Sequence, residues 1–106
     1  MMISRIQRAV LLALTLLSAC AFAADIGVDA YKAKCSACHG AHGAGDTMLG
    51  KNMKLRALGS AAVQEQSDEE LATIIRRGRN KMPSFDHTLS KEQIDAVVKY
   101  IRSLKQ

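Results

Sequence analysis

The sequence predicts a small all-α domain in which three main helices and long loops surround a bound group. Three observations lead to this class: two amphipathic stretches begin with helix-capping signals, no stretch has a convincing strand pattern, and aromatic side chains are scarce. The chain has 106 residues, with two tyrosines, two phenylalanines and no tryptophan. A domain this small is short of core and usually gains stability from a disulfide, a metal or another bound group. The length also excludes a two-domain enzyme.

The N-terminal segment predicts export. Arg5 and Arg8 precede an apolar run over residues 9–17, which small residues follow. A basic region, a short apolar region and an Ala-Phe-Ala cleavage pattern are typical of a secretory signal peptide, and the run is too short to span a bilayer comfortably. We therefore expect residues 1–23 to be removed, which leaves residues 24–106 as the mature domain.

The same segment has a second interpretation. Residues 17–20, Leu-Ser-Ala-Cys, resemble the lipobox of bacterial lipoproteins. In that case residues 1–19 are removed and Cys20 becomes the lipidated N-terminus. An uncleaved membrane anchor is a third option. All three place the domain in the periplasm or otherwise outside the cytoplasm, and the membrane is a partner only if Cys20 is lipidated or the signal is uncleaved.

Three helices are expected in the mature domain. The first covers residues 28–37, and glycines then interrupt any regular period across residues 40–59. A short helical turn is expected to open at Ser60. Capping boxes, in which a serine precedes a Glu or Gln by three positions, open two further helices, over residues 67–78 and 90–104. Loops this long between so few helices indicate that they wrap around something.

The most informative motif is Cys35-Ser36-Ala37-Cys38-His39. On a helix, residues three apart share a face, so both thiols point the same way. Two thiols at this spacing can add to the two vinyl groups on one edge of a porphyrin, and His39 can then bind the iron as an axial ligand. C-x-x-C-H is the attachment pattern of c-type haem. The motif therefore predicts one covalently bound haem c, which also supplies the missing core.

Three other uses of the cysteines fit the sequence less well. A thioredoxin-like redox pair expects a strand-helix-strand setting, which the sequence lacks. A zinc site could use Cys35, Cys38, His39 and His42, but the adjacent Cys38 and His39 would struggle to reach one tetrahedral ion together. A structural disulfide suits an exported chain but explains neither the histidine nor the glycine-rich stretch.

The second axial ligand is expected to be Met82. Pro83 disfavours the helical region for Met82 and predicts an extended strap that can lie across the open haem face. The competing interpretation is a methionine that fills a gap in the core. The other candidate ligands are Met48, Met53, His42 and His87. Met53 is the strongest of these, whereas His42 lies too close to His39 to reach the opposite face.

These motifs resemble class I cytochromes c of bacteria over nearly the whole mature domain, residues 25–105. The matching positions are Gly27, Tyr31, the motif from Cys35 to Gly40, the loop with Gly43 and Gly45, Met82-Pro83, Val97 and Tyr100. The resemblance implies the small cytochrome c fold, in which the first and last helices cross at a small residue and stack an aromatic. In this chain the crossing maps onto Gly27, Tyr31, Val97 and Tyr100.

The chain departs from the family pattern in two places. Family members commonly have a proline after the glycine-rich loop, whose carbonyl holds the proximal histidine, but Pro83 is the only proline here. We therefore expect a carbonyl between Thr47 and Met53 to accept the ring N–H of His39. The tryptophan that anchors a haem propionate in some members is also missing. The candidate propionate partners are Lys51, Asn52, Lys54 and Arg56.

Saturated coordination predicts the function. An iron held by His39 and Met82 has no free position for a substrate, so we expect single-electron transfer between redox partners and no enzymatic activity. The alternative is a haem-based small-ligand sensor or a peroxidase with a labile sixth ligand. No distal acid–base pair is visible for that chemistry, because the spare histidines have no evident partner.

The charge pattern bears on the partners. The full chain has 15 Lys and Arg against 10 Asp and Glu, and loss of Arg5 and Arg8 leaves 13 against 10. This excess is too modest for a nucleic-acid binder, and no basic stripe is interleaved with stacking aromatics. Four cations crowd into six residues: Arg76, Arg77, Arg79 and Lys81. They form either a solvated helix end or a docking surface for an acidic redox protein.

Overall fold

A computed structural model describes residues 4–106, with side chains described for residues 4–10 and 25–106. The helices are α1 (Arg5–Lys34), α2 (Ser36–His39), α3 (Met48–Asn52), α4 (Ala61–Gln64), α5 (Asp68–Arg77) and α6 (Lys91–Ser103). The only β pairing within residues 4–106 is an isolated antiparallel bridge between Arg79 and Met82. The all-α class is therefore confirmed. The lipidation site considered at Cys20 lies outside the described side chains.

The bounds expected for the first helix were wrong at both ends. α1 begins at Arg5, where Ser4 and Gln7 form a capping box, and it continues without interruption to Lys34. Alanine and leucine, both strong helix formers, dominate the stretch before Gly27, and no proline breaks it. The helix stops at Cys35, so the rest of the haem motif forms the separate short helix α2. Within residues 4–106 no helix with described side chains is long and apolar enough to cross a membrane.

The two later helices follow their capping boxes. The Ser67 hydroxyl accepts a hydrogen bond from the Glu70 amide at 3.1 Å, and the Glu70 carboxylate accepts one from the Ser67 amide at 2.7 Å. Ser90 opens α6 in the same way with Gln93. Both helices are confirmed, because each of them starts one residue after its capping serine and ends within one residue of the expected bound.

The core lies where α1 crosses α6. At Gly27 an added Cβ would overlap the carbonyl oxygen of Ala96, so only glycine lets the two backbones approach this closely. Tyr31 and Val97 are each 1% exposed. The Tyr31 and Tyr100 rings pack with their centroids 4.7 Å apart. The crossing implied by the family resemblance is therefore present at the expected residues.

Replacing Gly27 by alanine should destabilise the haem-loaded protein. The added methyl group pushes α1 away from α6 and overpacks the core, which costs about 1–3 kcal/mol. Denaturant unfolding followed by far-UV circular dichroism measures the change. Lys32→Ala is the matched control, because Lys32 lies on the exposed surface of the same helix. Equal midpoints for wild type and Gly27→Ala would contradict the close approach.

The segment between α3 and α5 is fastened to α6 by two polar side chains. The Gln64 amide donates to the carbonyls of Leu58 and Ile101 at 2.8 and 2.9 Å. The Arg102 guanidinium donates to the Asp68 carboxylate at 2.8 Å and to the carbonyls of Gln64 and Gln66. These bonds hold α4 and the loops on either side of it in a fixed position, so this segment can serve as a wall for the site described next.

Candidate functional site

A cavity of about 600 Å³ opens between the chain segments that carry the haem motif and Met82. Its walls come from the end of α1, from α2, from residues 52–58, from α5, from the segment around Met82, and from α6. The apolar lining includes Leu58, Leu71, Ile74, Ile75, Phe85, Val97 and Ile101. A small core thus surrounds a large space with mostly apolar walls, which fits a flat apolar cofactor.

Both motif cysteines face this cavity. Cys35 and Cys38 both line it, and Cys35 is buried. Burial, with a smaller contribution from nearby Cys38, raises the pKa of the Cys35 thiol to about 11. The Cys35 carbonyl accepts hydrogen bonds from the amides of Cys38 and His39 at 3.3 and 3.0 Å, which closes the turn that places both thiols on one wall. Within residues 4–10 and 25–106, no group of three or more His, Cys, Asp or Glu side chains could hold a metal ion.

Two side chains and a glycine hold the motif in place. The Tyr31 hydroxyl donates to the Gly40 carbonyl at 2.7 Å, and burial raises the pKa of its phenol to about 12. The Thr47 hydroxyl donates to the Cys38 carbonyl at 2.7 Å and accepts from the Gly50 amide at 2.9 Å. A Cβ at Gly50 would lie 2.7 Å from the Cys38 carbonyl oxygen, so α3 packs directly on the haem motif.

His39 is suited to bind a metal ion through its ring. It lines the cavity, and burial lowers its pKa, so the imidazole is neutral and keeps a free lone pair. Its Nδ1 atom is buried and has no hydrogen-bond partner among the described residues. The expected acceptor between Thr47 and Met53 is therefore not found. The carbonyls of that segment accept hydrogen bonds from main-chain amides of α3 and of the turn after it. They include the carbonyls of Thr47, Leu49 and Gly50.

Met82 lies on a tight turn beside the cavity. The Arg79 amide donates to the Met82 carbonyl at 3.1 Å, and the Met82 amide donates to the Arg79 carbonyl at 2.9 Å, which makes an isolated antiparallel bridge. Met82 is thus outside any helix, as the following proline predicts, and the bridge closes the turn before it. The Ser84 hydroxyl then donates to the Arg76 carbonyl at 2.6 Å and ties the turn to the end of α5. Met82 lines the cavity and is half-buried against the core.

The other candidate ligands divide into two groups. Met53 also lines the cavity. Met48, His42 and His87 are exposed and do not line it, and Met48 is 81% exposed. Met82 and Met53 are therefore the methionines that the fold brings to the same cavity as His39.

Among the residues with described side chains, the cavity wall has five cations and no carboxylate. They are Lys34, Lys54, Arg56, Arg79 and Lys81. Among the candidate propionate partners, Asn52, Lys54 and Arg56 line the cavity and Lys51 does not. Lys54 and Asn80 have φ angles of 55° and 54°, a conformation that is strained for residues other than glycine. Strain of this kind collects at binding sites, and both residues line the wall.

The cationic cluster near Met82 is split by the fold. Arg79 and Lys81 line the cavity, whereas Arg76 and Arg77 lie in the last turn of α5 and do not. Arg76 donates to the Thr73 hydroxyl at 3.4 Å. The first pair therefore borders the site, and the second pair fits the solvated helix end that suits cations.

Sequence reasoning did not identify Thr47 and Gly50 as supports of the haem motif. The sequence did contain a signal for them. Threonine is a common N-cap residue, whose hydroxyl accepts a hydrogen bond from the amide three positions later. The glycine-rich surroundings concealed it, since α3 is only five residues long.

Three comparisons with known proteins agree on the family. The family described as "Cytochrome C oxidase, cbb3-type, subunit III" matches residues 22–101. Cytochrome c6 of a Synechococcus strain is 37% identical over 89 residues, which cover 82% of this chain and 77% of that protein. Cytochrome c6 of Cyanidioschyzon merolae is 40% identical over 82 residues, which cover 76% and 75% of the two chains.

A solved structure extends the similarity to three dimensions. The KustC0563 c-type cytochrome superposes with a TM-score of 0.70 at 32% identity, over 76% of this chain and 98% of that chain. The thiol pair, the neutral imidazole and the apolar cavity described above fit the cofactor that such proteins carry. The chain therefore belongs to the class I monohaem c-type cytochromes, electron-transfer proteins with one covalently bound haem c.

Proposed function

We propose that this cytochrome carries single electrons between redox proteins outside the cytoplasm, with Cys35 and Cys38 as thioether attachments and His39 and Met82 as axial ligands. The observation that carries the proposal is that one cavity is lined by all four of these side chains. When bound, haem supplies a one-electron couple between ferric and ferrous iron. A thioether ligand favours the ferrous state and raises the reduction potential relative to two histidines.

The chain's own residues support rapid electron exchange. His39 lies on a turn held by Tyr31 and Thr47, and Met82 lies on a turn tied to α5 through Ser84. Because both ligand segments are fixed by hydrogen bonds, little rearrangement is needed when the charge at the site changes. The apolar part of the lining gives the site a low-polarity wall beside His39 and Met82.

The cavity lining favours electron transfer over a sensor or peroxidase. Peroxide chemistry needs an acid–base pair on the open face of the haem. In the part of the lining that the structure describes, His39 is the only histidine and no carboxylate is present. His42 and His87 are exposed on the surface away from the lining.

The optical spectrum tests the ligand assignment. A low-spin ferric spectrum with the weak near-infrared band of methionine ligation, and a ferrous form that does not bind carbon monoxide, would support His39 and Met82. A high-spin spectrum or ready carbon monoxide binding would instead support the sensor or peroxidase. Absence of haem absorbance, from a host able to attach haem, would overturn the proposal.

We propose export through residues 1–23, with Cys20 lipidation as the alternative form of processing. The basic, apolar and small-residue pattern of that segment supports export. The intact mass of protein recovered from the producing cell distinguishes the forms. A chain that starts at residue 24 and carries one haem supports cleavage, whereas acyl mass on a chain that starts at Cys20 supports lipidation.

We also propose that Asn52, Lys54 and Arg56 hold the haem propionates. They line the cavity on a segment without carboxylates, and Lys54 adopts a strained conformation there. Arg56 is the side chain best suited to the task, because a guanidinium can bond a carboxylate through two N–H groups.

Arg56→Gln should lower the midpoint potential of the haem-loaded protein. A cation near the haem destabilises the ferric state, so its removal favours oxidation. Lys51→Gln is the matched control, because it removes the same charge from the same segment but outside the cavity lining. Redox titration measures both potentials. Equal shifts in the two variants, or no shift in either, would contradict the role of Arg56.

We propose that acidic redox proteins dock where Arg79 and Lys81 border the cavity. Complementary charge speeds association, and its effect decreases as salt screens it. Electron-transfer rates measured from low to high ionic strength test this proposal. A rate that does not change with salt would contradict it.

A further inference from the structure

The turn that carries Met82 has a strained residue at its tip. Arg79 and Met82 are bonded to each other through their main chains, and Asn80 and Lys81 form the two-residue loop between them. In such loops the favoured turns have a positive φ angle at the first loop residue. Asn80 occupies that position and has a φ angle of 54°, whereas Lys81 does not share this conformation. The loop therefore follows the pattern of a type II′ turn, in which glycine is the usual first residue.

Asn80 adopts this conformation at a cost that glycine would not have. The left-handed region brings the Cβ atom of an ordinary residue too close to the backbone, and glycine has no Cβ atom. Asparagine is tolerated better than most residues, because its short polar side chain can form local hydrogen bonds. Alanine has the Cβ atom without the polar group, so it is disfavoured at such a position. The strain at Asn80 can therefore be changed in either direction by substitution.

The two ends of the turn are fixed to the end of α5. A Cβ at Gly78 would lie 2.6 Å from the Met82 carbonyl oxygen and 2.9 Å from the Ser84 amide nitrogen, so the backbone packs closely there. The Ser84 hydroxyl also donates to the Arg76 carbonyl at 2.6 Å. None of these contacts involves the side chain of Asn80. Because both ends of the turn are fixed, the backbone conformation of Asn80 decides how Met82 is presented.

The tip of the turn borders the place where the axial ligand is needed. Asn80 lines the same cavity as Met82 and His39. While the Met82 thioether is bound to the iron, the turn has to keep its strained conformation. When an external ligand replaces the thioether, that constraint is removed, and Asn80 is free to rotate to an unstrained conformation. The strain at Asn80 therefore acts against the methionine and in favour of an external ligand.

We infer that Asn80 is a positioning residue for the axial methionine, and that the strain in its left-handed backbone sets how easily an external ligand displaces the Met82 thioether. The inference rests on the proposed ligation by Met82 and adds a residue that controls its strength. Asn80 acts through the backbone of the turn and needs no contact with the iron.

Imidazole is the probe for this inference, because it is a small nitrogen ligand that competes with a thioether for ferric iron. The haem-loaded ferric protein is titrated with imidazole, and loss of the near-infrared methionine band measures displacement. Asn80→Gly and Asn80→Ala both remove the carboxamide, but glycine relaxes the left-handed position and alanine strains it further. A role of the side chain would move both variants in the same direction, whereas a role of the backbone moves them in opposite directions.

The two variants should differ from wild type with opposite signs. Asn80→Ala should raise the association constant of imidazole about fivefold, because the methionine-bound turn becomes more strained. Asn80→Gly should lower the constant about twofold. The second change is smaller because glycine loses more conformational freedom than asparagine when the turn is held in place.

Two control variants make the result specific. Gly27→Ala separates the local effect from a general loss of stability, because Gly27 lies at the crossing of α1 and α6 and does not line the cavity. It should lower the denaturation midpoint and bind imidazole with the wild-type constant. His87→Ala is a surface control on the segment after the turn, since His87 is exposed and outside the lining. It should also bind imidazole as the wild type does.

The outcomes separate the inference from the proposed function. Shifts in the same direction for both Asn80 variants, or no shift in either, would overturn the role of Asn80 and leave the methionine ligation intact. An equal rise in affinity in Gly27→Ala and Asn80→Ala would also overturn it, because the cause would then be general destabilisation. A wild-type ferric protein without the methionine band would overturn the proposed ligation itself.

Discussion

Replacing both Cys35 and Cys38 by alanine should remove the covalent haem and leave the chain largely unfolded. The reason is the 600 Å³ cavity, which the cofactor fills in a domain with a small core. Without the haem, the apolar lining contributed by α5 and α6 either faces water or collapses on itself. Binding energy from a group that holds several segments together is folding energy for a domain of this size.

The experiment uses far-UV circular dichroism and haem staining of denatured protein. Ala37→Ser is the matched control, because it changes an exposed residue between the two cysteines and leaves both thiols in place. It should keep haem and helix content at wild-type levels. A double cysteine variant that unfolds cooperatively without haem would show that side chains alone stabilise the fold.

Replacing Met82 by alanine should open the sixth coordination position and lower the midpoint potential. The loss of the thioether lets external ligands reach the iron and removes the preference for the ferrous state. The turn itself should survive, because its bridge uses the main chain of Arg79 and residue 82, and Ser84 still bonds to α5. The expected effect is therefore on coordination rather than on folding.

Carbon monoxide binding to the ferrous protein measures the opening. Met53→Leu is the informative comparison, because Met53 is the other methionine in the cavity lining. It should leave the iron closed. If Met53→Leu opens the iron to carbon monoxide and Met82→Ala does not, the axial role belongs to Met53.

Local signals predicted the later half of the fold well. Ser67 and Ser90 each begin a helix through a capping box, and such boxes depend only on residues three positions apart. The start of α1 was harder to predict, because an export pattern and a helical pattern overlap before Gly27. The sequence did not predict α3, because the helix has only five residues and packs against Cys38. That contact joins residues about ten positions apart, which a local pattern does not reveal.

The site shows the same division between local and distant information. The C-x-x-C-H spacing predicts attachment chemistry without any knowledge of the fold. The environment of His39 Nδ1 depends instead on how the segment after Thr47 folds. The carbonyls of that segment accept hydrogen bonds from main-chain amides of α3 and of the following turn, so none of them bonds to His39. The path of residues 51–56 also decides which of the candidate propionate partners reach the cavity: Lys54 and Arg56 do, and Lys51 does not.

The crossing of α1 and α6 has a consequence for the order in which the protein is made. Gly27 and Ala96 are 69 positions apart in the sequence, yet their backbones touch. A contact this distant forms only after residues 27–96 have all been synthesised. Until then the wall supplied by Val97 and Ile101 is missing, and the cavity beside both cysteines is incomplete. The last helix therefore supplies the last wall of the cavity, long after the segment that carries both cysteines has been made.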